Sequence, residues 1–348
     1  MLCYRIAKIW THSSFSNPSE DAMKSRLIHL ALILTASLVF VPALAQVASY
    51  PQKPVRMVIS YPPGGAVDAL ARAVGNDLGK LWGQSVVVEG RPGAGGVSAA
   101  VAVAHAAPDG YTIFLTDHTP LAITPFLQRD LPYDPVRDFA TVITVTESFS
   151  IVVVPGKFPV NSISELIAAA KTKPGAINFG SWGIGSAAHL DPEEFAAMAR
   201  ISMTHVPYKG AAEMFRGLLT GEIQLAFVSL GAAIPQIKQG GFKALGYGSL
   251  KRTPLLPLVP TVAESGLPGF EERSWLGLIV PAATPRPIIN KIAADTARVL
   301  AVPAFKEKFI EGIGFEASSL SPDAFAQLLE ETRAKRQAQL KRLNLQVN

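Results

Sequence analysis

The chain has 348 residues, 49% of them hydrophobic and 17% charged, with a formal net charge of +5 and one cysteine. That length suits two ordinary domains or one large one, and the modest charge offers no basic stripe of the kind that binds nucleic acid. The lone cysteine, Cys3, precedes a leader-like segment, so disulfide, thiol-nucleophile and thiolate-metal chemistry are excluded from a processed chain.

Met23-Lys24-Ser25-Arg26 forms a basic head, Leu27–Val41 an apolar run, and Pro42-Ala43-Leu44-Ala45 a small-residue cleavage site. The run of about 15 residues falls short of the ~20 that a membrane-spanning helix needs, so residues 23–45 read as a secretory signal cut after Ala45, with the periplasm as destination. Glu20 and Asp21 do not suit a signal head; residues 1–22 are expected to be a non-native extension with translation starting at Met23, the other reading being an unusually long head. Loss of residues 1–45 removes four basic and two acidic residues and leaves a net charge of +3.

From Val55 onward, strand-like runs alternate with helical patterns. Val55 to Tyr61 leads through Pro62-Pro63-Gly64-Gly65 into a helix from about Asp68 to Leu81. Ser85 to Glu89 leads through the loop Gly90–Gly96 into an alanine-rich helix ending near Ala107, and Tyr111 to Thr116 exits at Asp117-His118-Thr119-Pro120. Three such units predict a parallel sheet. Two runs, Ala140 to Val145 and Ser150 to Val154, broken at Glu147-Ser148, mark a first crossing between lobes. A second βα series follows, with strands at 177–180, 203–207 and 223–228 and helices at 163–172, 187–199, 211–219 and 232–239. The last portion has one strand, Trp275 to Val280, before helices at 287–300, 304–310 and 322–343. One strand cannot build a sheet, so residues 270–348 are expected to return to residues 46–147 as lobe 1, leaving 148–269 as an inserted lobe 2 and two crossings as a hinge. The basic stretch Arg333, Lys335, Arg336, Lys341 and Arg342 reads as a solvated helix face.

In such sheets ligands bind where strands end and helices begin, because backbone N–H groups there lack partners and the helix dipole favours negative charge. Two loops stand out: Tyr61–Asp68 in the first series and Gly180–Ser186 in the second. Asp68 reads as a ligand contact or only as a helix cap; Trp182 as a pocket wall or a core residue. His189 and His205 read as structural or as site groups, His118 as a cleft contact or a loop residue, and His105 as surface. No phosphate loop, HExxH, CxxC or GxSxG motif occurs, and neither glycine loop has the dinucleotide-binding order. Ser186, His189 and Asp191 share one helix turn and so cannot form a triad, whose base needs support from another element.

The chain resembles the solute receptors of tripartite tricarboxylate transporters, the Bug family, over nearly the whole mature sequence. The resemblance is carried by Pro54-Val55-Arg56 and Tyr61-Pro62-Pro63-Gly64-Gly65 with Asp68, by Val88–Gly96, by Ala107–Thr112 and by Leu131-Pro132-Tyr133-Asp134-Pro135. It continues in Lys173-Pro174-Gly175, His205–Gly210 and Val259–Gly266. It implies an α/β type II periplasmic binding protein fold, two βα lobes around a central cleft, with a carboxylate held by backbone amides, hydroxyls and waters. Ligand contacts are then expected from Gly64, Gly65, Ala66 and Asp68 and from Ser181, Gly185, Ser186 and His189, with the turn after Phe227 bordering the cleft; His118 and Trp182 complete the set. Against the family pattern, Val67 stands for a serine or threonine, Ala187 for a serine and Val228-Ser229 for Asp-Asn. The cleft is therefore expected to be less polar than usual and to take a monocarboxylate with an apolar or aromatic body in preference to citrate-like polyacids. Implied partners are a small carboxylate and membrane transporter subunits; a monomer is expected, with no catalytic residue, metal or cofactor. The alternatives are a secreted α/β hydrolase using the same cleft and a sensor presenting its ligand to a receptor kinase.

Overall fold

The apolar runs of the sequence become the strands of a ten-stranded sheet, in the order 86–90, 55–59, 112–116, 273–281, 139–155, 225–229, 178–181 and 204–207, with 242–247 and 316–317 also paired to 139–155. The computed structural model describes residues 50–345, and the fold is that of the compact unit beginning at Pro51. The expected leader at residues 23–45 and the expected extension at residues 1–22 lie outside the described residues. Among the described residues no helix is long and apolar enough to cross a membrane.

The first βα units form as the sequence predicts, with shifted ends. β1 (Val55–Ile59), α1 (Ala66–Trp82), β2 (Val86–Gly90), α2 (Val97–Ala104) and β3 (Thr112–Thr116) give a parallel set in which β1 pairs with both β2 and β3. A turn of π-helix at Thr119–Ile123 and the short α3 (Thr124–Leu127) follow.

β4 (Phe139–Pro155) is one continuous strand, where the sequence suggested two runs broken at Glu147-Ser148. Two register shifts, between Thr141 and Ile143 and between Thr144 and Thr146, let it twist without interruption. Up to Phe149 it pairs antiparallel with β9 (Arg273–Pro281), and from Ser150 it pairs with β7 (Leu225–Ser229). One strand thus serves both halves of the sheet.

The second half contains α4 (Ile163–Thr172), β5 (Asn178–Ser181), α5 (Ala187–Ala199), β6 (Thr204–Pro207), α6 (Ala211–Thr220), β7, α7 (Leu230–Lys238) and β8 (Phe242–Tyr247). β5 is parallel to β6 and β7. Val152 and Val154 enter one core with Phe179, Phe195, Phe227 and Phe270, whereas Ile151 and Val153 enter another with Met214, Leu218 and Tyr247. An apolar run buried on both faces is what a central strand requires. The chain returns in β9, antiparallel to β3 as well as β4, so the predicted all-parallel first sheet is mixed. Then come α8 (Arg286–Leu300), α9 (Pro303–Phe309), the two-residue β10 (Glu316–Ala317) and α10 (Pro322–Arg342).

β8 and β10 are absent from the sequence reading. The solvated face expected of the C-terminal helix is also wrong in part, since Arg333 and Arg336 are buried. Phe325, Leu328 and Leu329 open a buried stripe on α10 that runs on through Arg333, Arg336 and Gln339 to Leu340. Its 3–4 residue spacing is the helical core period, with guanidiniums in the place of apolar side chains. Leu340 packs with Ile123 and with Leu190 of α5, so this helix touches both halves.

Candidate functional site

A cavity of about 720 Å3 lies where the two halves meet. From the first half it takes Tyr61, Val67, Gly95, the stretch Asp117–Thr119 and residues of the π turn and α3. From the second come Trp182–Ala187, Asp191, Val228 and Ser229; the crossing strands add Ser148–Ser150 and Glu272–Ser274, and α10 adds Arg336.

Of the predicted site residues, Val67, His118, Trp182, Gly185, Ser186, Val228 and Ser229 line this cavity. Gly64, Gly65 and Ala66 do not; they are exposed beside Val67. Asp68 does not either, because its carboxylate is turned to its own helix start. There it accepts from Gly64 N at 3.0 Å and from Arg72 Nε at 2.9 Å, and the Arg72 bond, then the Gly64 bond, hold its pKa below the ordinary carboxylate range.

Ser181 and His189 support the second loop from behind. Ser181 Oγ meets His205 Nε2 at 2.7 Å and accepts from Gly183 N, while Gly185 N donates to His189 Nδ1 at 3.0 Å. The His189 and His205 rings stack at 3.8 Å, and burial, then the neighbouring imidazole, lowers His189 to a pKa of about 4. A neutral ring is required here, since its Nδ1 must accept. Gly185 has φ +78°, and a Cβ on it would run into Leu127 across the cleft. Glycine is needed there on both counts. Trp182 is 37% exposed at the cavity and is not the core residue that was the other reading.

The helices that begin at these loops, α1 after Gly65 and α5 after Ser186, have no side chain capping their N-termini. Ser186 Oγ donates instead to Gly183 O. Gly64, Gly185, Ser186 and His189 already donate their N–H groups within the loops, so the first-turn N–H groups that border the cavity and can meet an anion are those of Val67 and Ala187.

The floor of the cavity was missed by sequence reasoning. Arg336 Nη1 lies 3.2 Å from Asp191 Oδ1 and 3.3 Å from Glu272 Oε2, and donates to Gln339 Oε1 at 2.8 Å. Ser150 Oγ donates to the other oxygen of Asp191. Burial, then the charge of Asp191, pushes the Glu272 carboxyl up to about 8 in spite of Lys335 Nζ at 2.9 Å. Desolvation of a carboxyl only 1% exposed outweighs the two cations. His118 Nδ1 lies 3.3 Å from Ser274 Oγ, and burial, then Arg336, lowers its pKa to about 4. Asp117 is held by Tyr61 Oη and by Thr119 N. Arg273 is held by Glu147 and Glu271. The only signal for this floor was the helical stripe through Arg333 and Arg336.

Two half-sheets sharing one long strand, with a cavity between opposed helix starts, define a two-lobed periplasmic-type solute-binding protein. A model of the tripartite tricarboxylate transporter family receptor matches residues 70–345. The chain belongs to that family, which is one of solute-binding receptors and not of enzymes. Among curated relatives, the UPF0065 protein in the tcbD-tcbE intergenic region of Pseudomonas sp. (strain P51) is 35% identical over 301 residues, covering 86% of this chain and 89% of that one. Among solved structures, R. palustris Rpa4515 with adipate is 33% identical with a TM-score of 0.74, covering 84% of this chain and 97% of that one. The periplasmic binding protein BugD is 31% identical with a TM-score of 0.71, covering 86% and 100%.

Proposed function

We propose that this receptor captures a small monocarboxylate with an apolar or aromatic body, closes on it, and delivers it to the membrane subunits of a tripartite transporter. The observation that carries the reading is the cavity itself: loops leading into uncapped helix starts border it from both halves, while each guanidinium lining it is already held by carboxylates. One carboxylate can thus be met by main-chain N–H groups at charge-assisted distances of about 2.7 to 2.9 Å. Val67, Ile123, Leu127, Phe149, Trp182, Ile184 and Phe315 offer apolar wall to the rest of the ligand.

In this reading residues 46–147 with 270–348 form one lobe and 148–269 the other, and the lobes rotate about the crossing strands. The change of β4 partners between Phe149 and Ser150 supports a hinge at that point. Gly64, Gly65, Ala66 and Asp68 reach the ligand only on closure, whereas Ser181 and His189 act by holding the loop. Secretion through residues 23–45 brings the chain to the periplasm, where it acts as a monomer.

Isothermal titration of the processed protein with acetate-to-octanoate acids, benzoate, adipate and citrate tests the proposal. One-to-one binding of a monocarboxylate, tighter than any polyacid and without turnover, is expected. Tighter citrate binding than any monocarboxylate, or conversion of the ligand, would overturn it.

A further inference from the structure

The buried layer beneath the cavity is specific to neither loop and has a chemistry of its own. Arg336, Asp191 and Glu272 are 2%, 2% and 1% exposed, and they come from α10, from α5 and from the residue just before β9. The guanidinium is taken up by the Asp191 carboxylate at 3.2 Å and by the Glu272 carboxyl, which burial keeps largely protonated near neutral pH, at 3.3 Å. Lys335, which reaches Glu272, also donates to Glu271 O. His118 is uncharged near neutral pH, because its burial lowers its proton affinity. No uncommitted charge therefore faces a ligand here, and Asp117, a third carboxylate, lines the same cavity.

At the same time the layer has hydrogen-bonding capacity to spare. Arg336 Nε and His118 Nε2 are buried and make no hydrogen bond, and Glu272 Oε2 makes none beyond its ion-pair contact with Arg336 Nη1. Buried polar atoms left unmatched carry a penalty, which a ligand group able both to donate and to accept would relieve. Asp191 lies four residues beyond Ala187 on α5, so the layer sits roughly 6 Å deeper than the helix start at which a carboxylate would be held.

We infer that Arg336, Asp191 and Glu272 determine specificity, by selecting a ligand with a neutral hydrogen-bonding group that both donates and accepts, such as a hydroxyl or carboxamide, about 6 Å from its carboxylate and by rejecting a second carboxylate. The inference rests on the carboxylate-receptor reading above. A buried polar site of this kind discriminates strongly against an analogue that lacks the matching group.

The test is calorimetric titration of the processed protein with two matched series: benzoate, 4-hydroxybenzoate and terephthalate; hexanoate, 6-hydroxyhexanoate and adipate. In at least one series the hydroxy acid is expected to bind tenfold or more tighter than both the parent acid and the diacid. In an Asp191→Asn/Glu272→Gln variant, which keeps the shapes and leaves the guanidinium uncommitted, the diacid of that series is expected to gain tenfold or more. Equal binding of parent and hydroxy acid would overturn the inference and leave the proposed function standing; wild-type preference for the diacid would overturn the inference together with the monocarboxylate preference and leave only the carboxylate-receptor reading. Unchanged diacid affinity in a folded variant would overturn it too, and failure of every acid to bind would remove both.

Discussion

Arg336→Met removes the guanidinium shared by Asp191 and Glu272 while leaving two buried carboxyls behind. At 3.2 and 3.3 Å each pairing amounts to roughly 5 kcal/mol at an effective dielectric near 20. Much of that is offset by the desolvation of the ions, but removing only one partner leaves the others uncompensated and typically costs about 3–5 kcal/mol. Equilibrium urea unfolding at pH 8 should show a loss of that size. Glu272, already raised to about 8 by burial, would rise further without its cation, so the deficit should be largest well above pH 8, shrink as the pH falls to about 8 and change little below that, where the carboxyl is protonated in both folded proteins. Replacing all three residues, Arg336→Met with Asp191→Leu and Glu272→Leu, removes the buried charges together and should restore stability to within about 1 kcal/mol of wild type or above it. An Arg336→Met protein within about 1 kcal/mol of wild type at pH 8 would refute the reasoning.

Gly185→Ala forces a Cβ onto a residue at φ +78° and against Leu127, so a loss of about 1–2 kcal/mol from the backbone alone and at least tenfold weaker ligand binding are expected. Adding Leu127→Ala should relieve the clash but not the backbone strain, and full recovery by that double variant would contradict the account. Trp182 stands exposed at the cavity, so ligand should quench or shift its fluorescence. Trp182→Phe should abolish that signal while calorimetric binding persists, and an unchanged signal would place the ligand elsewhere. His118 has a pKa lowered from 6.5 to about 4, so the stability it supports is present above pH 6.5 and lost as the pH falls toward 4. The loss amounts to roughly 3 kcal/mol at most. His118→Gln should flatten that part of the acid profile, and an identical slope would show that His118 does not titrate in this window.

The loops were legible because they are local. A run of strand residues, two or three glycines and a helix start lie within a dozen residues of one another at Tyr61–Asp68 and again at Gly180–Ser186. The floor was not legible, because Arg336 and Asp191 are 145 residues apart and nothing near either predicts the other. A guanidinium is normally kept in water, and only a distant carboxylate changes that. β4 was read as broken because Glu147 and Ser148 interrupt an apolar run; there the strand passes from one half-sheet to the other, and both residues have polar surroundings. Ser148 lines the cavity, and Glu147 accepts from Ser318. β8 escaped notice because Phe242–Tyr247 mixes lysine and glycine into a short strand whose place is fixed by pairing to β4. The histidine pair shows the opposite lesson: both rings serve the loop, and position near a glycine loop alone did not distinguish support from contact.

The most direct measurement is a crystal structure of the processed protein with the tightest-binding monocarboxylate from the titrations. The account predicts the carboxylate oxygens within hydrogen-bond range of main-chain N–H groups at the start of α5 and in the Tyr61–Val67 loop, with the body of the ligand pointing toward Asp191. A carboxylate bound to a guanidinium, or a ligand outside the space between the two half-sheets, would contradict it.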